Sequence, residues 1–173
     1  VAATPLPPTQ TPTPRPTDAA ATATATTTPG DAPIISLSIP SNAIEPGERF
    51  EISVNTTGTP GGVGIEFALA YDNTTVECST GFPGDDMPVG PGGINLERSV
   101  CEAAPGRFEW VSTLSNPATG YPAGELGRIR FNAADVDTTT TIRIVPGSVR
   151  LSDRDGNLLP ITIDDEDGEL TIV

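Results

Sequence analysis

Residues 49–71 read RFEISVNTTGTPGGVGIEFALAY, and this stretch decides the fold class because its apolar residues recur with a period of two. Phe50, Ile52 and Val54 would share one face of an extended chain, and a second alternating run follows a Gly/Pro-rich break. Short alternating runs bounded by turn residues predict half-buried β-strands. The stretch therefore predicts two strands of a sheet that has one face against a core.

The same pattern continues from Pro33 to the end of the chain and predicts an all-β protein. Strands are predicted at about 34–39, 49–55, 63–71, 74–79, 107–114, 125–132, 139–145, 148–152, 158–163 and 169–173. Segment 81–106 is Gly/Pro-rich and aperiodic, so we expect a surface loop there. Many short strands separated by turn residues are typical of a sandwich or barrel.

The alternation also predicts which side chains form the core. Inward-facing positions are predicted at the apolar residues that alternate along the strands: Phe50, Ile52, Val54, Ile65, Phe67, Leu69, Tyr71, Ile129, Phe131, Ile142, Ile144, Val149, Leu151, Ile161, Ile163, Leu170 and Ile172. The core is therefore expected to be mainly aliphatic.

The charge and composition exclude several functions. The 173-residue chain has a formal net charge of −14, with no Lys and no His, which opposes binding to nucleic acid or to an anionic membrane. No apolar run approaches the roughly 20 residues that span a bilayer, so we expect no membrane insertion. Ser–His–Asp and Cys–His nucleophiles, imidazole metal sites and Schiff bases are absent. We expect a protein that is not an enzyme, because the remaining two-carboxylate glycosidase chemistry would have few aromatic residues for sugar stacking.

A compositional change at about residue 33 predicts a tail, residues 1–33, followed by a folded domain, residues 34–173. The tail consists almost entirely of Thr, Pro and Ala, and its recurring Pro residues up to position 17 favour polyproline II or disorder. An alternating stretch follows that would place Thr on one face of a strand and Ala on the other: Ala21, Thr22, Ala23, Thr24, Ala25 and Thr26. Two interpretations stay open, a glycosylated linker and a donor strand that packs on a neighbouring copy.

The N-terminal residues and the cysteines indicate an exported protein. The chain begins VAATPLPPTQ without Met, as expected after removal of an export signal, although a trimmed numbering would look the same. Cys78 and Cys101 are an even pair, so we predict a disulfide, with two buried thiols as the alternative. An extracellular or cell-surface location is expected.

Covalent glycans are a further expectation for such a chain. Asn55 and Asn73 each begin an N-x-[ST] sequon at a position predicted to face solvent. The tail offers O-glycosylation candidates at threonines that lie beside or near proline: Thr9, Thr11, Thr13 and Thr17.

One acidic stretch begins like a calcium loop. Asp153, Asp155 and Asn157 place oxygen ligands at alternate positions, but Leu158 stands at the sixth position, where an EF-hand loop needs Gly. We therefore expect a hairpin turn, no metal site and no cofactor, with weak Ca²⁺ binding as the alternative.

The order of motifs over residues 34–173 resembles a cohesin domain. The matching stretches are IEPGERFEISVNTTGTPGGVGIEFALAYDNTTVE (44–77), GRFEWVSTL (106–114), GELGRIRFNA (124–133) and residues 139–173, which hold a D-x-D-G-N turn and a final G-x-L-T-I strand. The resemblance implies a jelly-roll-like β-sandwich of about nine strands that is secreted or surface-bound, lacks catalysis and binds dockerin modules. In cohesins an Asn and an Asp two residues apart help to hold the dockerin, and the resemblance places these positions at Gly64 and Glu66.

These observations predict a non-catalytic extracellular assembly module with an extended Pro/Thr-rich tail. The preferred interpretation is a self-assembling filament or surface-layer subunit whose tail packs on the next copy, giving a head-to-tail homopolymer. One alternative is a dockerin-binding cohesin of a scaffolding protein. Another is a carbohydrate-binding module, for which Trp110 and Tyr121 are the aromatic candidates, although Trp110 is expected in the core.

Overall fold

The computed structural model describes residues 32–88, 93–115, 120–164 and 168–173. The Ala/Thr stretch at 21–26 and the O-glycosylation candidates in the tail lie outside the described residues. The described part forms two sheets packed face to face around one core, which confirms the predicted all-β sandwich. Within this part, no helix is long and apolar enough to cross a membrane.

The described residues contain twelve strands. In chain order they are β1 (Ile34–Ser38), β2 (Arg49–Thr56), β3 (Gly64–Ala70), β4 (Val76–Pro83), β5 (Ile94–Ala104), β6 (Arg107–Leu114), β7 (Gly124–Ala133), β8 (Thr138–Ile144), β9 (Arg150–Ser152), β10 (Leu158–Leu159), β11 (Thr162–Ile163) and β12 (Gly168–Ile172). The predicted strand at 158–163 is divided into β10 and β11 at Pro160, which has no N–H to donate to a ladder.

The two sheets differ in size and order. The five-stranded sheet has the order β11-β1-β2-β7-β4, and the seven-stranded sheet has the order β10-β9-β3-β6-β5, with β8 between β3 and β12. β1 and β11 run parallel, whereas the other strand pairs of the described residues are antiparallel. Along one edge β3 pairs first with β9 at Gly64–Glu66 and then with β8 at Leu69 and Ala70.

The core agrees with the predicted period of two. The inward positions predicted on β2, β3, β7, β8 and β12 are buried, and Val149, Ile161 and Ile163 are half-buried and pack against the cluster. Trp110 is fully buried and stacks on Phe67 with a ring separation of 5.7 Å. Aromatic rings therefore occupy the centre of a core that is otherwise aliphatic.

The loop predicted for residues 81–106 is wrong. β4 extends to Pro83, and β5 is an eleven-residue strand that pairs with β6. β5 lies at the end of its sheet and shifts register twice, between Leu96 and Arg98 and again between Val100 and Ala104. Because bulges and an exposed edge both break the alternation of apolar and polar residues, this strand left no period of two in the sequence.

A disulfide joins the two sheets at one side of the sandwich. Cys78 on β4 and Cys101 on β5 are bonded, as predicted, with 5.4 Å between their Cα atoms. β4 and β5 are each the last strand in their sheet order. The bond therefore links one edge of the five-stranded sheet to one edge of the seven-stranded sheet.

Candidate partner-binding face

The outer face of the seven-stranded sheet holds Gly64 and Glu66, the two residues predicted as a possible partner face, and strand register sets their neighbours. The row through Gly64 runs across five strands as Leu158, Ser152, Gly64, Thr113 and Asn95. The row through Glu66 consists of Arg150, Glu66, Val111 and Arg98. These positions alternate with the buried Ile65, Phe67 and Trp110, so their side chains project away from the core.

Three ion pairs lie on this face. Arg150 Nη1 is 3.1 Å from Glu66 Oε1, Arg98 Nη2 is 2.8 Å from Glu109 Oε2, and Arg107 Nε donates to Glu109 Oε1 at 3.2 Å. All five side chains remain partly exposed, at 29–63%. Such solvent-exposed pairs contribute little to folding stability. Their charges are therefore available for exchange with the charges of a partner.

The net charge of the described outward side chains of this face is opposite in sign to the net charge of the whole chain. Its described outward side chains include four arginines, counting Arg143 on β8 opposite Ala70, against the three carboxylates of Glu66, Glu109 and, on β12 opposite Thr141, Glu169. The whole chain carries a net charge of −14. A surplus of positive charge on an acidic molecule favours the approach of an acidic surface to this face.

The centre of the face is an open cleft of about 290 Å³. Glu66, Arg98, Glu109 and Arg150 line it, and Ser148 closes one side. Ser148 Oγ accepts a hydrogen bond from Ala68 N at 2.9 Å and donates to Ala68 O at 3.3 Å. This side chain therefore satisfies the backbone of β3 at the point where its partner changes from β9 to β8.

At Gly64 the face has a hollow where a cohesin carries an amide side chain. A Cβ at position 64 would lie 2.6 Å from Ser152 Oγ, which donates to Gly64 O at 3.4 Å. The hollow has a volume of about 240 Å³, and its lining includes Leu158, whose exposed fraction is 69%. The position that matches the cohesin Asn is therefore a shallow, largely apolar depression, while the acid at Glu66 is kept.

The predicted N-glycosylation residues lie at the surface in different settings. Asn73 is exposed in the turn after β3. Asn55 is half-buried on β2, and its Nδ2 donates to Ser38 Oγ at 2.9 Å. Both asparagines remain candidates for glycans.

The acidic stretch at 153–157 forms the turn between β9 and β10. Asp153 Oδ1 accepts from Asp155 N at 2.9 Å and from Asn157 N at 2.8 Å, and Asp153 Oδ2 accepts from Asn157 Nδ2 at 2.9 Å. These bonds, those from Asn157 above all, hold the pKa of Asp153 below its usual value. Both carboxylate oxygens are directed at the turn itself. No group of three or more His, Cys, Asp or Glu in the described residues could hold a metal ion.

The aromatic candidates for sugar stacking lie inside the protein. Trp110 is fully buried, and Tyr121 is 2% exposed. The Tyr121 hydroxyl donates to Ser112 O at 2.9 Å and also contacts Ser112 Oγ at 3.2 Å. Neither ring is therefore exposed to a polysaccharide.

The sequence matches no protein-family model and no curated protein. Several solved cohesins match the structure. The second type II cohesin module of the ScaA scaffoldin of Acetivibrio cellulolyticus is 16% identical, with a TM-score of 0.68 over 81% of this chain and 96% of that one. The sixth cohesin of scaffoldin B from the same organism, solved in complex with a mutant Cel5 dockerin, is 21% identical, with a TM-score of 0.59 over 82% and 99%. A non-cellulosomal cohesin of the hyperthermophilic archaeon Archaeoglobus fulgidus is 16% identical, with a TM-score of 0.58 over 82% and 91%.

These similarities establish that the fold is cohesin-like. The residues of this face differ in whether the sequence alone predicts them. Gly64 and Glu66 follow from the motif order, whereas Arg150, Ser152 and Leu158 reach the same face only through the register of β9 and β10. No sequence signal connects positions so far apart along the chain.

Proposed function

We propose that this chain is a non-catalytic extracellular module that assembles with another protein through the outer face of its seven-stranded sheet. The observation that carries the proposal is the register that brings Arg150, Glu66 and Arg98 into one exposed row beside an open cleft. A charged sheet face that the described residues leave exposed, on a sandwich with a packed core, is suited to protein recognition. The disulfide is consistent with an extracellular location.

The partner that best fits this face is a dockerin-like module with acidic groups at its contact surface. The matched scaffoldin B cohesin was solved in complex with a dockerin, and Glu66 occupies the position of the acid that holds dockerins in cohesins. Gly64 replaces the corresponding amide, so a partner of this chain would find an apolar hollow there. Its acidic groups would replace the ion pairs that Arg98 and Arg150 make with Glu109 and Glu66.

Charge reversal tests the face directly. The double variant Arg98→Glu/Arg150→Glu is compared with Arg49→Glu, which changes an exposed arginine on β2 in the other sheet. Isothermal titration with the Cel5 dockerin should detect binding to the intact chain and to Arg49→Glu, and at least a tenfold weaker affinity for the double variant. Equal affinities for all three proteins would place the binding surface elsewhere. No binding to the intact chain would exclude that dockerin as a partner.

We also propose that residues 1–33 connect copies of the module into a homopolymer or surface layer, with glycans on the tail and at Asn55 and Asn73. The observation in favour is that the described residues from Ile35 to Ile172 form one hydrophobic core, to which the Thr/Pro/Ala-rich composition of the tail offers few large apolar side chains. Negative-stain electron microscopy of the intact chain and of residues 32–173 tests this assembly. Filaments or oligomers that depend on the tail are expected, whereas monomers of both proteins would favour a linker.

A further inference from the structure

An apolar groove lies at one end of the sandwich, where the two sheets meet. Its volume is about 490 Å³, and it is lined by Pro33, Thr57, Pro60, Leu151, Leu159 and Pro160. The five-stranded sheet contributes the residues beside β1 and β2, and the seven-stranded sheet contributes β9 and β10. Its volume is in the range of sites that hold a small ligand or a short piece of chain.

The surroundings of the groove are also apolar. Ile34 is a large hydrophobic residue that is 39% exposed, and it adjoins the lining residue Pro33 in sequence. Exposed apolar surface around a groove is characteristic of a docking site. The groove therefore needs an occupant with an apolar surface and small side chains.

The tail of the chain begins at the rim of this groove. Pro33 O accepts from Thr162 N at 2.8 Å, and Ile34 N donates to Thr57 Oγ1 at 3.0 Å, so the root of the tail is fixed there. Thirty-one residues precede Ala32 outside the described part. Residues 18–31, which include the alternating stretch, could span roughly 40 Å at about 3.1 Å per residue in an extended polyproline-like form, which is enough to reach a copy that packs near this end.

We propose that this groove is the docking site for the alternating Ala/Thr stretch, residues 18–28, of a second copy. This inference rests on the self-assembly proposed above and identifies its acceptor. The stretch offers Ala and Thr methyl groups and no bulky or charged side chain after Asp18, which matches a groove of Pro and Leu. Because the tail is proposed to connect copies, the groove is assigned to a neighbour's stretch rather than to the chain's own.

The sheet edges at β4, β5 and β12 are poorer acceptors than the groove. β4 and β5 shift register at Cys78/Thr80 and at Leu96/Arg98, and the disulfide ties these two strands together. Bulged edges do not offer a regular ladder to an added strand. Beside β12, Ile44 N donates to Thr171 O and Val173 N donates to Ile44 O, each at 3.0 Å, so part of that edge is already paired.

The first experiment measures the oligomeric state of the full chain by analytical ultracentrifugation over a range of concentrations. The groove variant Pro60→Glu/Pro160→Glu adds charge at two exposed lining residues, and Val136→Glu adds the same charge to an exposed hydrophobic residue outside the groove. Intact chain and Val136→Glu should form dimers or larger species, and the groove variant should remain monomeric with an unchanged circular dichroism spectrum. If the groove variant assembles like the intact chain, the groove is not the acceptor, although self-assembly stands. If the intact chain is monomeric at every concentration, self-assembly itself fails.

A second experiment separates a neighbour's tail from the chain's own. A synthetic peptide of residues 18–28 is titrated into isotopically labelled residues 32–173, after circular dichroism has shown that this shortened chain keeps the β-sheet spectrum and melting temperature of the intact chain. Chemical-shift changes at Thr57, Leu151 and Leu159 should saturate, and the groove variant should not respond. In the intact chain at monomeric dilution these resonances should match those of the shortened chain. Resonances already shifted at that dilution would show that the chain's own tail fills the groove and would overturn the proposal.

Discussion

Gly127 on β7 lies against the indole ring of Trp110 on β6, and this single contact sets how closely the two sheets approach. A Cβ at Gly127 would be 2.9 Å from the nearest ring atom of Trp110. Trp110 is fully buried, and its Nε1 has no hydrogen-bond partner among the described residues. The ring is therefore held by packing alone, and space for it comes from the missing side chain at position 127.

Gly127→Ala should lower the free energy of unfolding by about 1–3 kcal/mol, because overpacking moves a buried ring or strand. Urea denaturation followed by circular dichroism measures the change, because the single Trp cannot report in a background that lacks it. Trp110→Phe removes part of the ring without breaking a hydrogen bond, so Gly127→Ala should be less destabilising in that background. Equal destabilisation in both backgrounds would mean that the indole ring is not what position 127 avoids.

A hydrogen bond between Tyr71 and Glu102 joins a buried residue of the core to the edge strand β5. The Tyr71 hydroxyl donates to Glu102 Oε1 at 2.6 Å, and Glu102 Oε2 accepts from Gly106 N at 3.2 Å. Burial first, and then the hydrogen bond and negative charge of Glu102, raise the pKa of Tyr71 well above its usual value. Glu102 has a φ of +54°, a left-handed backbone that its two hydrogen bonds help to hold.

This raised pKa predicts a loss of stability in alkali. A group whose pKa is higher in the folded chain binds its proton more tightly there, so its contribution is fully present below its unfolded pKa of about 10 and is lost as the pH rises above that value. Denaturant titrations between pH 8 and about 11 should show a falling free energy of unfolding. Tyr71→Phe removes the ionisable group, and its stability should fall less over the same range. Parallel curves for the two proteins would contradict this role.

At the scale of elements, the strands divide into those that periodicity predicts and those that it misses. β2, β3, β6 and β7 have one buried face, so their apolar residues alternate and could be located from the sequence. β5 could not, because its edge position and bulges remove the alternation. The cohesin resemblance likewise identified Gly64 and Glu66 but not Arg150 or Leu158, since β9 and β10 are too short for a periodic signal and join the face only by pairing.

The disulfide is the covalent support for the least regular element. Replacing Cys78 and Cys101 together by Ser should lower the free energy of unfolding by about 3 kcal/mol, the chain-entropy estimate for a closed loop of this order. The rate of amide hydrogen exchange should rise mainly in β4 and β5, because the ladder that joins each of these strands to its neighbour in the sheet contains a bulge. Calorimetry and exchange measured by mass spectrometry test the two parts separately. Uniform acceleration across the sandwich would show that the bond stabilises the whole fold rather than this edge.

At the scale of the whole molecule, we expect residues 34–173 to fold without the tail, and we propose that the tail connects copies. Because residues 1–31 are mainly Thr, Pro and Ala and offer few large apolar side chains to a core, their removal should leave the melting temperature within about 2 °C at a dilution where both proteins are monomeric. Scanning calorimetry makes this comparison. A large drop would mean that the tail of each copy completes its own fold.

The parallel pairing of β1 with β11 also determines how the module would respond to tension. Ile34 and Ile35 lie beside Thr162 and Ile163, with bonds from Thr162 N to Pro33 O and from Asp164 N to Ile35 O. A pull on the tail in one direction and on Asp164, which follows β11, in the other would slide these strands past each other, so their hydrogen bonds would be loaded together instead of opening one after another. A copy held by its tail in an assembly would therefore resist stretching through this short shear contact, and its lifetime under force would depend on its rate of unfolding more than on its equilibrium stability.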